Sequence, residues 1–225
     1  MSQFDDLATR LLRLDCCAVS DALDKLGLPP AVTGLAHRAS GRRIAGRVHT
    51  VKLVAKDQAP PATGAPRHLG TTAIEACGTG EIIVIEQRSG LDAACWGGIL
   101  SLGAKLKGVA GIIADGPVRD LDEAIQLDLP IFSRAVTART ARNRIAEEAT
   151  DEPVEIGHVT VHPGDYAIAD ASGVAFLPAG NAPRIIAEAE AIAGREAAMA
   201  KDLLAGKRIV EVMGANYEKM LERQE

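Results

Sequence analysis

The chain has 225 residues, with 30 acidic and 25 basic side chains and a net charge of −5 at pH 7. Acids and bases are mixed along its length, so no basic face is offered to nucleic acid, and no apolar run is long enough to span a bilayer. One Trp, two Tyr and three Phe leave the core to be built from Ala, Val, Ile and Leu. The four cysteines, Cys16, Cys17, Cys77 and Cys95, form no CxxC pair or other zinc spacing. No signal peptide is read, and a reducing cytoplasm is the expected location.

Residues 1–225 read as one α/β domain with helices at both ends, 1–30 and 183–225. Phe4 to Leu12 carries an apolar stripe of Phe4, Leu7, Leu11 and Leu12, which predicts a helix. Ser20 is placed to cap a second helix, Asp21 to Leu26, which Gly27 and Pro29-Pro30 end. Arg42 to Ala55 alternates apolar and charged residues and predicts a strand. Lys56 to Pro66 is rich in Pro, Ala and Gly and reads as a loop. His68 to Ala76 is a short helix, Ile82 to Ile85 a strand, and Gln87 to Ala94 a loop that delivers the chain to Trp96.

The stretch from Trp96 to Glu123 reads as helix, strand, helix. Trp96, Ile99, Leu100, Leu102, Gly103 and Leu106 fit an amphipathic helix that Gly108 stops. Val109 to Ala114 is the apolar run of a strand covered on both faces. Asp115-Gly116-Pro117 is turn chemistry, and Arg119 opens a helix to Leu127. The first helix starts on Gly97-Gly98, where bare backbone N–H groups and the positive dipole end form a cradle for a carboxylate or phosphate. Arg119 and Asp120 stand just past a strand's C-terminal end, where ligands collect in α/β sheets. Arg119 suits an anionic or enolate oxygen, and Asp120 a hard divalent cation. The competing reading is structural, because an Asp in a first helical turn is favoured by the dipole alone.

Further on, Ile131-Phe132 is a strand and Ser133 to Ala141 a loop carrying Arg134 and Arg139. Val154–Ile156, His158–Val161, Tyr166–Ala169 and Gly173–Leu177 are strands, with turns at Gly157 and Pro163-Gly164-Asp165. A long helix from Pro183 to Leu204 and a shorter one from Ile209 to Leu221 close the chain. Strands outnumber crossover helices and no GxGxxG follows a strand, which argues for a mixed, layered α/β fold rather than a plain Rossmann fold.

Trp96-Gly97-Gly98-Ile99-Leu100, followed by Asp115-Gly116-Pro117-Val118-Arg119-Asp120, resembles the RraA-like family. That family includes class II 4-hydroxy-4-methyl-2-oxoglutarate/4-carboxy-4-hydroxy-2-oxoadipate aldolases and regulators of ribonuclease E. Ser20-Asp21-Ala22-Leu23-Asp24 is similar to its N-terminal helix. Pro163-Gly164-Asp165, Ala169-Asp170 and Gly173-Val174 are similar to its C-terminal strand region. The resemblance implies an αββα sandwich of the swivelling β/β/α type, assembled as a trimer or hexamer with the active site between subunits. It implies that Gly97, Gly98, Ile99, Leu100 and Arg119 bind a small anionic 2-oxo acid. It further implies that Asp120 serves Mg²⁺ or Mn²⁺, and that a carbon–carbon bond is cleaved or a carboxylate lost through a pyruvate enolate. Aldolase members carry an acidic residue directly after the first glycine, where this chain has Gly98. Oxaloacetate decarboxylation, which needs no base, is therefore expected to outlast aldol cleavage. The alternatives are a non-catalytic, protein-binding regulator and a metal-dependent hydratase, isomerase or lyase on a sugar acid. A methyltransferase is excluded, because no stretch reads as a methyl-donor site.

Several residues are candidates for the missing proton-transfer group or for support of the metal. His68 is one, since imidazole is a common general acid or base, although a surface histidine is the plainer reading. Glu123 lies at i+4 from Arg119 and i+3 from Asp120, and either pairs with Arg119 or assists at the metal. Asp115 either orients Arg119 or shapes the turn, and the turn is favoured. Glu86 and Asp92 precede the cradle, with solvated charge the simpler role. Arg134 and Arg139 are candidates for a second substrate carboxylate, and the family's pattern draws an acidic group from a neighbouring chain's C-terminal region, for which Glu196, Glu211 and Glu218 qualify.

Overall fold

The computed structural model describes residues 5–59, 61 and 67–214. A long strand, β2 (Ile44–Ala55), joins two halves of one curled sheet. Its later part pairs in parallel with β3 (Ile82–Gln87), which leads to β4 (Gly111–Val118) and β5 (Ile131–Val136), all parallel. The short β1 (Ala36–Ala39) closes that edge antiparallel to β5. The first part of β2, Ile44 to Arg47, pairs antiparallel with β9 (Tyr166–Asp170), which carries β10 (Gly173–Leu177). β6 (Ile145–Thr150) also pairs with β2, and β7 (Val154–Ile156) and β8 (Val159–Val161) form a separate hairpin.

Three apolar layers follow from this curl. Ile44, Val48, Ile82, Val84, Ile113 and Phe132 from one half meet Ala167, Ala169, Val174 and Phe176 from the other, with the β7–β8 hairpin closing the space. Outside the first half lie α3 (Thr71–Ala76), α4 (Gly98–Lys107) and α5 (Leu121–Gln126), packed on Val51, Ile83, Ile85, Ile112 and Ala114. Outside the second lie α1 (Asp6–Leu11), α2 (Cys16–Lys25) and α6 (Ala182–Leu204), packed on Tyr166, Ile168, Ala175 and Leu177. This is the expected αββα layering, because β3, β4, β9 and β10 bury both faces and need a cover on each. The terminal helices cover the β9–β10 face, and α7 (Ile209–Val212) follows α6. Among the described residues no helix is long and apolar enough to cross a membrane.

Several sequence expectations are corrected. The second helix begins at Cys16, not Asp21, because the Asp15 side chain caps it by accepting the Ala18 N–H at 2.8 Å. Ser20 sits inside that helix and accepts the Ala31 N–H. Asp115-Gly116-Pro117 is not a turn: all three lie in β4, whose register with β5 is irregular between Ala114 and Pro117. A bulge tolerates a proline that has no N–H to donate. Gly116 is needed there, since a Cβ would stand 2.6 Å from Gln87 Cβ on β3. Ser133–Val136 continues β5 rather than opening a loop, and β6 was not foreseen in its charged sequence. In α4, Leu100, Ser101 and Ala104 face inward while Ile99 (82%), Leu102 (42%) and Leu106 (80%) are exposed. Most of the expected loop over 56–66 and the end of the last helix, with Glu218, lie outside the described residues.

The N-terminal helix is tied to the sheet by one polar knot. Asp5 caps α1 through Leu7 and Ala8, and accepts the Tyr166 hydroxyl at 2.7 Å. Arg47 donates to that hydroxyl at 2.6 Å and lies 4.8 Å from the ring centroid. Burial, then the hydrogen bond to Asp5, pushes Tyr166 up to about 12 from 10.0. The raised value favours the neutral phenol in the folded state, so its contribution is complete below pH about 10 and is lost as pH rises through about 12. Alkaline titration at the tyrosinate band should show a tyrosine that resists ionisation until about pH 12, and Tyr166→Phe should remove that late step.

Candidate functional site

The site lies where the C-terminal ends of β3 and β4 meet α4 and α5. The segment before α4 runs beside the exit of β4: Cys95 N–H donates to Pro117 C=O at 2.8 Å and Arg119 N–H to Trp96 C=O at 3.0 Å. Trp96 is buried and anchors the corner, its indole N–H donating to Ser101 Oγ at 3.0 Å while Ser101 Oγ donates to Gly97 C=O. α4 therefore begins at a fixed point, with its free N–H groups facing the Arg119-Asp120 corner.

Asp120 stands at the N-cap position of α5 but does not cap it. Its backbone is left-handed, φ 58° and ψ 42°, a conformation that costs a non-glycine residue about 1 kcal/mol or more. The carboxylate instead turns to the other helix, where Oδ2 accepts the Gly98 N–H at 2.9 Å and lies 3.3 Å from Arg119 Nε. Gly97 leaves the room for this, since a Cβ there would stand 2.8 Å from Asp120 Oδ2 and 3.2 Å from Arg119 Nε. The space a Gly98 side chain would occupy is filled by Glu123, whose Oε2 falls on the position of the absent Cβ. Two carboxylates thus converge on one helix N-terminus, one from the cap position and one from the first turn of α5.

A pocket of about 240 Å³ opens beside this cluster, lined among others by His68, Trp96, Gly97–Leu100, Arg119, Asp120 and Thr140. The structure therefore brings His68, the cradle glycines, Arg119 and Asp120 to one cavity, with Glu123 against Gly98. His68 precedes α3, and its Nδ1 lies 3.2 Å from Leu69 C=O. Of the cradle N–H groups, that of Gly98 is taken by Asp120; among the described residues those of Ile99 and Leu100 have no acceptor. Thr140 and Ala141 form a wall that the sequence did not reveal, because the chain reaches it through the Ala94 N–H bond to Arg139 C=O, a contact distant in sequence.

Other candidates are drawn elsewhere. Asp115 neither shapes a turn nor orients Arg119: it is buried, accepting Arg134 Nε and the Gly157 N–H, both at 2.7 Å. Arg134 is accordingly held in that pair and also donates to Thr33 C=O. Arg139 lies 3.3 Å from exposed Asp92, and Glu86 accepts the Glu155 N–H at 2.7 Å. Glu211 is bound to Arg208 next to α7, and Glu196 lies on α6 in the opposite layer. Burial pushes Cys16 far up and Cys77 and Cys95 each up to about 12, so none of these three is a thiolate nucleophile near neutrality.

The donor set fits a hard divalent cation. Asp120 presents a carboxylate to the open cavity, and Mg²⁺ or Mn²⁺ binds through one or two carboxylates while keeping waters. Together the cradle, the arginine and the carboxylates can hold an anion and a cation in contact. Asp115 ties β4 to Arg134 on β5 and to the β7–β8 turn, and its loss would leave Arg134 and the Gly157 N–H without their acceptor. Asp115→Ala is expected to lower stability by about 1–3 kcal/mol in urea unfolding, whereas Asp92→Ala, at an exposed pair, should change it by less than about 1 kcal/mol.

Comparison with known proteins shows the family of the chain. Residues 16–176 match the model of the RraA-like family, described as Aldolase/RraA. "Putative 4-hydroxy-4-methyl-2-oxoglutarate aldolase" of Halalkalibacterium halodurans is 27% identical over 218 residues, covering 95% of this chain and 98% of that protein. Protein DlpA of Legionella pneumophila is 25% identical over 173 residues, so the chain spans 28% of that longer protein's length. The crystal structure of an uncharacterized protein from Pseudomonas syringae superposes with a TM-score of 0.80 at 28% identity, covering 92% of each chain. With its matched residues running from the first turn of α2 into β10 across the whole candidate site, the chain belongs to the RraA-like (Aldolase/RraA) family.

Proposed function

We propose that this protein is a divalent-metal-dependent carbon–carbon lyase acting on a small 2-oxo acid, of the 4-hydroxy-4-methyl-2-oxoglutarate aldolase or oxaloacetate decarboxylase type. The observation that carries the reading is the convergence of Asp120, Glu123 and Arg119 on the open N-terminus of α4. Asp120, together with waters, would hold Mg²⁺ or Mn²⁺. When bound, the cation supplies Lewis-acid polarisation of the 2-oxo group. The N–H groups of Ile99 and Leu100, at the positive end of the helix, bind the substrate's carboxylate. Arg119 lines the cavity and stabilises the negative charge that develops on the 2-oxo oxygen as the C3–C4 bond breaks.

The two reactions differ in what they ask of a base. Loss of CO₂ from oxaloacetate leaves its electron pair on the three-carbon fragment, which then takes a proton at C3 to give pyruvate. Aldol cleavage must in addition remove the proton of the 4-hydroxyl. Glycine at 98 has no group for that step, and the Glu123 carboxylate occupies its place. Glu123 is accordingly the proton acceptor in this reading.

The protein is further proposed to work as a homo-oligomer, a trimer or hexamer. Ile99, Leu102 and Leu106 form an exposed apolar stripe on α4, with Ile125 exposed on α5. Such a stripe beside a binding cavity suits a subunit contact.

The test measures pyruvate release from oxaloacetate and from 4-hydroxy-4-methyl-2-oxoglutarate, first with EDTA and then with Mg²⁺ or Mn²⁺ restored. Turnover should require metal and be lost in Asp120→Ala, and Arg119→Ala should lower kcat about 10²–10³-fold. Glu123→Gln should lower aldol cleavage about 10²–10⁴-fold while sparing decarboxylation. Absence of metal-dependent turnover with both substrates defeats the lyase reading. An equal loss of both reactions in Glu123→Gln defeats the role of Glu123.

A further inference from the structure

At the other end of β3 a second polar cluster lies apart from the cavity. His49 projects from β2 opposite Ile83, Cys77 ends α3, and Glu81 closes the turn that leads into β3. One ligand atom from each of the three lies within 4.8 Å of the others. His49 Nε2 is 2.9 Å from Glu81 Oε2. The other ring nitrogen, Nδ1, faces Asp151 at 2.9 and 3.2 Å. Asp151 holds this position in a left-handed backbone conformation, φ 55°, fixed by its own N–H on Thr50 C=O at 2.9 Å.

We propose that His49, Cys77 and Glu81 form a binding site for a borderline divalent cation of the Zn²⁺ type, distinct from the Asp120 site. Three observations carry it. The donors are imidazole, thiol and carboxylate, a set that selects zinc-like ions over Mg²⁺. A tetrahedral zinc site spaces its ligand atoms by about 3.3–3.8 Å, given bond lengths of about 2.0–2.3 Å, so small side-chain adjustments close the cluster around an ion. Asp151 supplies the partner that metal-bound histidines require, a carboxylate on the far nitrogen that fixes the tautomer and presents Nε2 to the metal. The site has three protein ligands, leaving a fourth position for water. Its place dictates its effect: it pins α3 and the start of β3 to the middle of β2.

Co²⁺ serves as the probe, added to the chelator-stripped full-length protein. One equivalent should bind with a near-ultraviolet thiolate-to-cobalt charge-transfer band, and Zn²⁺ should displace it. The band should persist in Asp120→Ala and vanish in Cys77→Ser, and Zn²⁺ should raise the Tm of the wild type but not of Cys77→Ser. Should Cys77→Ser fail to fold, Asp151→Asn provides a variant that keeps all three ligands, and its Co²⁺ affinity should fall about 10–100-fold. Binding without the thiolate band, a band that survives Cys77→Ser, or unchanged affinity in Asp151→Asn overturns the site. None of these readouts depends on lyase activity, so this proposal and the preceding one fail separately.

Discussion

The pairing of the Cys95–Gly98 segment with the exit of β4 is the constraint on which the rest depends. Cys95 N–H to Pro117, Trp96 C=O from Arg119 N–H, and Gly98 N–H to the Asp120 carboxylate form one continuous ladder. It crosses from the loop before one helix to the start of the next. Because the ladder is anchored by buried Trp96, it fixes where α4 begins and where the Arg119-Asp120 corner stands. The backbone strain at Asp120 is held by the same contacts, and it aims the carboxylate away from its own helix. A preorganised corner of this kind needs little rearrangement to receive charge, which is the condition for electrostatic catalysis.

Around this corner, glycine acts by absence. Gly97 admits the Asp120 and Arg119 side chains, and Gly98 admits the Glu123 carboxylate. A residue with a Cβ at either position would push an acidic group out of the cluster. In this chain the space beside Gly98 holds the carboxylate of Glu123, from the first turn of α5.

The polar groups of the sheet are sorted by their ends. The C-terminal ends of β3 and β4 gather hard oxygen donors and an arginine, while the opposite end of β3 gathers imidazole, thiol and carboxylate. Between them the strands are apolar on both faces, with Ile82, Ile83, Val84 and Ile85 fully buried. That apolar stretch separates the two clusters and leaves each to its own chemistry.

Much of this was legible in the sequence. Gly173–Leu177 is a strand because five apolar residues sit between turn signals, and Gly108 stops α4 in the left-handed conformation that glycine allows. The Gly97-Gly98 start and the Arg119-Asp120 pair could be placed at one strand–helix corner from local order alone. Local order failed where distant segments decided. Asp115-Gly116-Pro117 has turn composition, but pairing with β3 and β5 and the acceptor role toward Arg134 hold it in a strand. Ile99 and Leu106 fit an apolar helical face, yet α4 buries the adjacent stripe of Leu100, Ser101 and Ala104. Glu123 against Gly98, and His49 with Cys77 and Glu81, join residues from separate elements. Composition and periodicity determine which segments can bury themselves and which backbones can bend, because those are properties of neighbouring residues. The meeting of side chains across elements is decided by the register of β2 with its partners and the docking of helices on its faces, and that exists only once the chain has folded.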